Sequence, residues 1–198
     1  MSADGAARPA PDRLPGTVTG RARDGGEAVT DSMKIRQEHE YAHDTETVFA
    51  LFTDEQEITA RQAALGARNI RIEACETDSG GAVVRFVREL PADVPGVLSK
   101  FLQPWNTVEQ SERWHSPGVG RYEADIAIDV ANVPVSVSGK LTLEPAEGGC
   151  INHVRVTVDC GIPFVGKTLA EFVAKDCERI IGDEYEYLCN RLDNLGSE

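Results

Sequence analysis

Between residues 67 and 160 the apolar residues recur at every second position, the period of a strand with one buried face. Arg121–Val130 sets Tyr122, Ala124, Ile126, Ile128 and Val130 against Glu123, Asp125 and Asp129. Pro134–Glu144 sets Val135, Val137, Gly139, Leu141 and Leu143 against Ser136, Ser138, Lys140, Thr142 and Glu144. Ile151–Cys160 sets Val154, Val156 and Val158 against His153, Arg155, Thr157 and Asp159. Three earlier strands are expected, at Ile70–Cys75, Ala82–Leu90 and Thr107–His115. Turn signals at Asp78-Ser79-Gly80-Gly81, Ser116-Pro117-Gly118 and Glu147-Gly148-Gly149 separate them. Met33–Tyr41 alternates in the same way and predicts one more strand ahead of these.

The period lengthens in two places. After the first strand, Asp44 is a suitable N-cap for a short helix carrying Val48, Phe49, Leu51 and Phe52. Thr53 with Gln56 has capping-box spacing, which predicts a second helix from there to Gly66. From about 165 to 195 a helical stripe runs through Val165, Leu169, Phe172, Val173, Ile180, Ile181, Tyr185, Leu188, Leu192 and Leu195. At 1.5 Å per residue that helix is about 45 Å long. Pro91–Pro95 interrupts the sheet, and Gly96–Leu102 is expected to form a helical turn. The order is β-αα-β6-α, an α+β chain in which a curved antiparallel sheet of seven strands is wrapped on the C-terminal helix. That helix is the one element large enough to cover the apolar face.

Composition changes the picture at the N-terminus. Residues 1–32 are rich in Gly, Pro, Ala, Asp and Arg and carry few large apolar side chains, so they are expected to be a disordered extension. A translation start at Met33 would account for them equally well. The domain is placed at 33–198. Formal net charge is −13, which repels nucleic-acid phosphate and anionic headgroups and weighs against nucleic-acid partners. No window reaches the ~18 apolar residues of a membrane-spanning helix, so stable membrane insertion is not expected. The five cysteines are odd in number and scattered, without a C-x-x-C pair. They fit neither a disulfide framework nor a zinc site, and point to a reducing cytoplasm. The four histidines form no ligand cluster; no metal and no cofactor are expected.

The element order resembles the START-like, or SRPBCC, helix-grip superfamily, which includes the birch-pollen allergen type. More narrowly, Met33–Leu192 resembles a bacterial family known only as domain of unknown function 2505. The likeness rests on Leu90-Pro91, Lys100-Phe101-Leu102, Glu112-Arg113-Trp114, the strand from Val133-Pro134-Val135 to Gly139, and Ile162-Pro163-Phe164-Val165-Gly166. The resemblance implies a hydrophobic cavity under the last helix and assigns no reaction.

One motif points elsewhere. Gly161–Thr168 satisfies G-x-x-x-x-G-K-[ST] between a strand and a helix, the string of a phosphate-binding loop. Pro163 offers no N–H to a phosphate, and no strands follow the motif as a P-loop fold requires. Ile162, Phe164 and Val165 are therefore read as a plug at one end of the core.

The expected cavity wall comprises Trp114, Tyr122, Ile126, Val137, Val156, Leu169, Phe172 and Val173, each of which is equally an ordinary core position. Leu98 and Phe101, on the insert, are candidates for a lid or a simple anchor. Glu112 shares the face of Trp114 with Gln110; in an apolar pocket its pKa would rise, suiting it to acid–base work or an ion pair. Arg85, grouped by parity with Val83 and Val87, is a candidate partner for Glu112 or for a ligand carboxylate. The leading reading is a module that binds or carries a small hydrophobic molecule, lipid-like or aromatic. The alternatives are a cyclase- or hydrolase-like enzyme using an inward group such as Glu112, an interaction domain with a filled core, and, remotely, nucleotide binding. A cavity of ~300 Å³ or more separates the first two from a filled core.

Overall fold

Alternation along the strands builds the sheet directly. In the computed structural model, which describes residues 31–195, seven strands lie in the order β1-β7-β6-β5-β4-β3-β2, every neighbouring pair antiparallel. They are β1 (Asp31–Tyr41), β2 (Arg68–Asp78), β3 (Gly81–Pro91), β4 (Trp105–Gly118), β5 (Arg121–Val130), β6 (Val135–Ala146) and β7 (Gly149–Cys160). The helices are α1 (Thr45–Thr53), α2 (Glu55–Ala64) and α3 (Gly166–Leu195), with a single 3-10 turn at Gly96–Leu98.

The expected disorder of residues 1–30 lies outside the described residues. Asp31 and Ser32, assigned to that extension, instead belong to β1 and pair with Cys160 and Asp159. The chain then turns sharply: a Cβ at Gly149 would collide with the Tyr41 carbonyl, so β7 can begin against the end of β1 only with glycine there.

Asp44 caps α1, its Oδ1 accepting from the Thr47 N–H at 2.7 Å. The cap of α2 is Asp54 rather than Thr53. Asp54 Oδ1 accepts from the Gln56 and Glu57 N–H groups, both at 2.9 Å, while the Thr53 hydroxyl donates back to the Phe49 carbonyl and closes α1. A carboxylate at a helix N-terminus is favoured over a hydroxyl already engaged in the preceding turn. Gly66 takes φ +84° after the last turn of α2, a left-handed position suited to glycine.

Two β-bulges bend β2, between Arg68 and Arg71 and between Ile72 and Ala74. They carry Cys75 onto the inner side, where its thiol donates to the Thr53 carbonyl at 3.1 Å. Beneath α2 a compact cluster of Ile58, Val84 and Phe86 forms, backed by Ile72 and Cys75. The larger cluster runs along the inner faces of β4–β7 to α1 and α3.

The expected plug at 162–165 is corrected in one member. Ile162 and Val165 pack on the core, but Phe164 is fully exposed, with φ 68°. The tight turn from β7 into α3 swings it outward. In that turn the Gly166 N–H is bonded to the Ile162 carbonyl and the Val165 N–H to the Pro163 carbonyl. Together with a sheet that has no parallel pair among the described residues, this leaves the phosphate-loop string without the surroundings it needs. Among the described residues no helix is long and apolar enough to cross a membrane, and no His/Cys/Asp/Glu cluster could hold a metal ion.

Candidate functional site

The long helix is buried most fully near its ends, and its middle is held to β1, where Gln37 Nε2 donates to the Glu178 carbonyl at 3.2 Å and the Tyr185 hydroxyl to the Glu40 carbonyl at 2.9 Å. Leu169, Ala170 and Val173 are buried in its first turns and Leu188 and Leu192 in its last, whereas no residue from 174 to 187 is buried. Between those anchors the helix bridges a cavity of about 140 Å³. Its apolar wall comes from Ile126, Ile128 and Val130 of β5, Val137 and Leu141 of β6, Val154 and Val156 of β7, and Phe172, Val173, Ile180 and Ile181 of α3. Pro91, Ala92 and Leu102 of the insert close one end. The volume is below the ~300 Å³ expected of a typical ligand pocket. It matches the ~150 Å³ apolar cavity that accepts a benzene ring.

Polar side chains enter from one side as a connected group. Arg88 of β3 donates from Nη2 to Gln110 Oε1 at 2.9 Å, and Gln110 donates from Nε2 to Glu112 Oε1 at 2.7 Å. Trp114 Nε1 donates to Glu112 Oε2 at 2.9 Å. Since arginine and indole can only donate, the amide of Gln110 is oriented uniquely and both Glu112 oxygens act as acceptors. Arg88 and Glu112 thus form an ion pair relayed through one amide. Burial pushes the Glu112 carboxyl above its usual range, opposed by the charge of Arg61 and the bond from Trp114. Burial likewise lowers the Arg88 guanidinium to about 10, opposed by Glu184 and Glu112.

A second pair stands beside the first. Arg61 of α2 is 1 % exposed, and its Nε lies 2.7 Å from Glu184 Oε1 of α3. That contact is electrostatic, since the Nε–H is not aligned for a hydrogen bond; Arg61 Nη1 donates to the Leu51 carbonyl at 3.0 Å. His39 of β1 stacks on Tyr185 at 4.3 Å and shares a 2.8 Å hydrogen bond with Gln37 Oε1. Burial lowers its pKa, with Glu184 acting in the opposite sense. Cys177 also borders the cavity, but burial pushes its thiol to about 11, so it is no thiolate at neutral pH. Four buried polar atoms facing this space have no partner: Arg88 Nε and Nη1, Gln62 Oε1 and Asn152 Oδ1.

Of the residues singled out in the sequence, Ile126, Val137, Val156, Phe172, Val173 and Glu112 come together around the cavity. Trp114, Tyr122 and Leu169 lie in the packed core beside it. Tyr122 stacks on Phe49 at 4.0 Å, and Trp114 meets Phe49 and Phe52 at 5.6 and 5.4 Å. Leu98 is buried beneath the insert and Phe101 packs beside it, neither on the cavity wall. Arg85 stands on the outer face with Val83, exposed to solvent, and meets neither Glu112 nor the cavity. The inward residues of β3 are Ala82, Val84, Phe86 and Arg88. Sequence reasoning did not single out Arg88, Gln62, His39, Asn152 or Glu184. Parity alone could have found His39, which shares a face with Ile35 and Tyr41, and Asn152, which shares one with Val154.

The arrangement of sheet, insert and grip helix has solved counterparts. TTHA0849 from Thermus thermophilus superposes with a TM-score of 0.55 at 17% identity, covering 82% of this chain and 99% of that one. Human STARD10 superposes with a TM-score of 0.55 at 10% identity, covering 84% of this chain and 66% of that one. Both likenesses show the START-like helix-grip fold. Among curated proteins, the uncharacterized protein Rv0481c of Mycobacterium tuberculosis is 24% identical over 122 residues, 60% of this chain and 70% of that protein. The model of the family described as protein of unknown function (DUF2505) matches residues 36–192, and the chain belongs to that family.

Proposed function

We propose that this protein binds and carries a small apolar molecule, aromatic or lipid-like, in the space between the sheet and the middle of α3. The observation that carries this reading is the space left between the middle of α3 and the apolar inner faces of β5, β6 and β7. A chain selected only for stability would close that gap, because each unfilled methyl-sized void costs about 1 kcal/mol. The present volume suits one ring or a short branched chain; a longer ligand requires α3 or the 91–102 insert to move outward.

The test is titration of the isotope-labelled protein with toluene and with indole, followed by methyl chemical shifts. Saturable shifts at Ile126, Val137 and Val156 are expected, together with loss of those at Val137 and Val156 in Ile126→Phe. Absence of saturation up to the solubility limit, or shifts confined to outward-facing methyl groups such as Val83, would overturn the reading. Native mass spectrometry of freshly purified protein supplies the natural ligand's mass if one is retained.

Catalysis on the same scaffold is the second reading, and Glu112 is what favours it: a buried carboxylate at the cavity with a raised pKa. Against it, both Glu112 oxygens already accept bonds from Gln110 and Trp114, which suits a fixed structural charge better than a proton carrier.

A further inference from the structure

Every charged side chain around the cavity is matched by one of opposite sign. Arg61 faces Glu184 at 2.7 Å, Asp176 meets Arg179 at 2.7 Å, and Arg88 is coupled to Glu112 through Gln110. His39, its pKa lowered by burial, adds no charge at neutral pH. What the polar wall lacks is hydrogen-bond partners. Arg88 is 4% exposed, borders the cavity, and has two of its three nitrogens, Nε and Nη1, without an acceptor. An unpaired buried donor on a cation is costly. The Phe86 ring, 4.8 Å from the Arg88 guanidinium carbon, meets its charge without satisfying these N–H groups, and neither Gln62 Oε1 nor Asn152 Oδ1 of the same wall bonds to them.

We propose that Arg88 is a ligand-binding residue, and that the ligand is an uncharged, ring-sized apolar molecule whose oxygen acceptor, a carbonyl or ether-like oxygen, is held by the free Arg88 N–H groups. This rests on the cavity being a binding site, and it narrows the ligand by chemistry. A carboxylate would supply the acceptor too, but it would enter a site whose charges already balance, with Glu112 and Glu184 both close enough to act on the same guanidinium. The added anion would be desolvated without a counter-charge. A neutral oxygen meets the need of Arg88 without that penalty. Gln62 Oε1 and Asn152 Oδ1, the unpartnered acceptors of the same wall, would accept from a hydroxyl elsewhere on the ligand.

Three probes of nearly equal shape isolate the point: acetophenone, α-methylstyrene, in which the carbonyl oxygen becomes a methylene, and benzoate. Affinities are read by chemical-shift titration of the full chain at pH 7.5, with Arg88→Met beside the wild type. Acetophenone should bind at least about tenfold more tightly than α-methylstyrene, since a hydrogen bond to a buried charged group is worth that much or more. Benzoate should bind most weakly of the three. In Arg88→Met the two neutral probes should bind alike. Equal wild-type affinity for acetophenone and α-methylstyrene would overturn the acceptor assignment while leaving the cavity a binding site. Tightest binding by benzoate would overturn the neutrality of the ligand. Binding by none of the three would remove the binding site itself, and the assignment with it. The wild-type ranking decides the matter even if Arg88→Met does not fold.

Discussion

Two regions of the same sheet are covered in opposite ways. Under α1 and α2 the inner face is closely packed, with Phe52 and Gln62 at its border with the cavity: Phe49 stacks on Tyr122, Phe52 meets Trp114, and Ile58 closes on Val84 and Phe86 with no measurable exposure. Under the middle of α3 the same kind of face, Ile126, Val137 and Val156, looks into open space. The strands do not differ in pattern. What differs is the cover. Short helices follow the local curve of the sheet and deliver large aromatics into it. The 30-residue α3 is buried most fully near its ends and is held along its middle to the edge strand β1, leaving a gap over β5–β7. Close packing is thus concentrated on one side and space on the other.

The comparison breaks most clearly at two phenylalanines. Phe86→Ala, in the closely packed region, should cost about 3–5 kcal/mol, because its neighbours are fixed on all sides. Phe172→Ala, on the half-buried cavity wall, should cost only about 1–2 kcal/mol, because its removal enlarges a space that already exists. Urea unfolding of both variants measures the difference; equal losses would mean that the cavity region is as tightly packed as the rest.

The clip between the two regions comes next. Glu184→Ala strips Arg61 of its counter-charge and leaves a 1 % exposed guanidinium with the Leu51 carbonyl and the Phe52 ring, a loss of about 3 kcal/mol. Arg61→Met in the same background should recover most of it, since an apolar side chain there leaves no orphaned charge. Thermal melts of the two single variants and the double variant form the cycle that decides this.

Overfilling runs the other way. Val84→Phe forces a ring into a closed cluster and should destabilise by about 1–3 kcal/mol. Ile126→Phe extends into the cavity and should change stability by less than about 1 kcal/mol while blocking ligand uptake.

The sequence makes one half of this contrast readable. Period-two alternation in β5, β6 and β7 names the inner face residue by residue, and the stripe from Leu169 to Leu192 names the face of α3. Neither pattern states how far apart the two faces stand, so Trp114 and Tyr122 are indistinguishable in sequence from true wall positions such as Ile126. β3 is harder still. Val83, Val84, Phe86 and Val87 place apolar residues on both faces, so parity does not decide between Arg85 and Arg88. The cover settles it: α2 brings Ile58 down on Val84 and Phe86, and this turns Arg88 inward and Arg85 to solvent. The inward run Gln110, Glu112, Trp114 is visible in the alternation of β4, while its cation, Arg88, stands on the face opposite Arg85.

The smallest effect sharpens the comparison at the rim of the cavity, where His39 is held between Tyr185 and Gln37. Burial lowers its folded-state pKa below the ordinary 6.5, and the nearby Glu184 carboxylate offsets this only in part. The unfolded chain therefore takes up the proton more readily than the folded one. Stability from this residue is complete above about pH 6.5 and declines as pH falls from there toward the lowered folded value. Below that value the loss is complete and the contribution is flat. Chemical denaturation at pH 7.5, 6.5 and 5.5 should show the decline in the wild type and a shallower one in His39→Gln, which keeps a polar side chain beside Gln37 but cannot be protonated. An identical pH slope in the two proteins would mean that His39 is as easily charged folded as unfolded, and that the rim of the cavity is wetter than its packing implies.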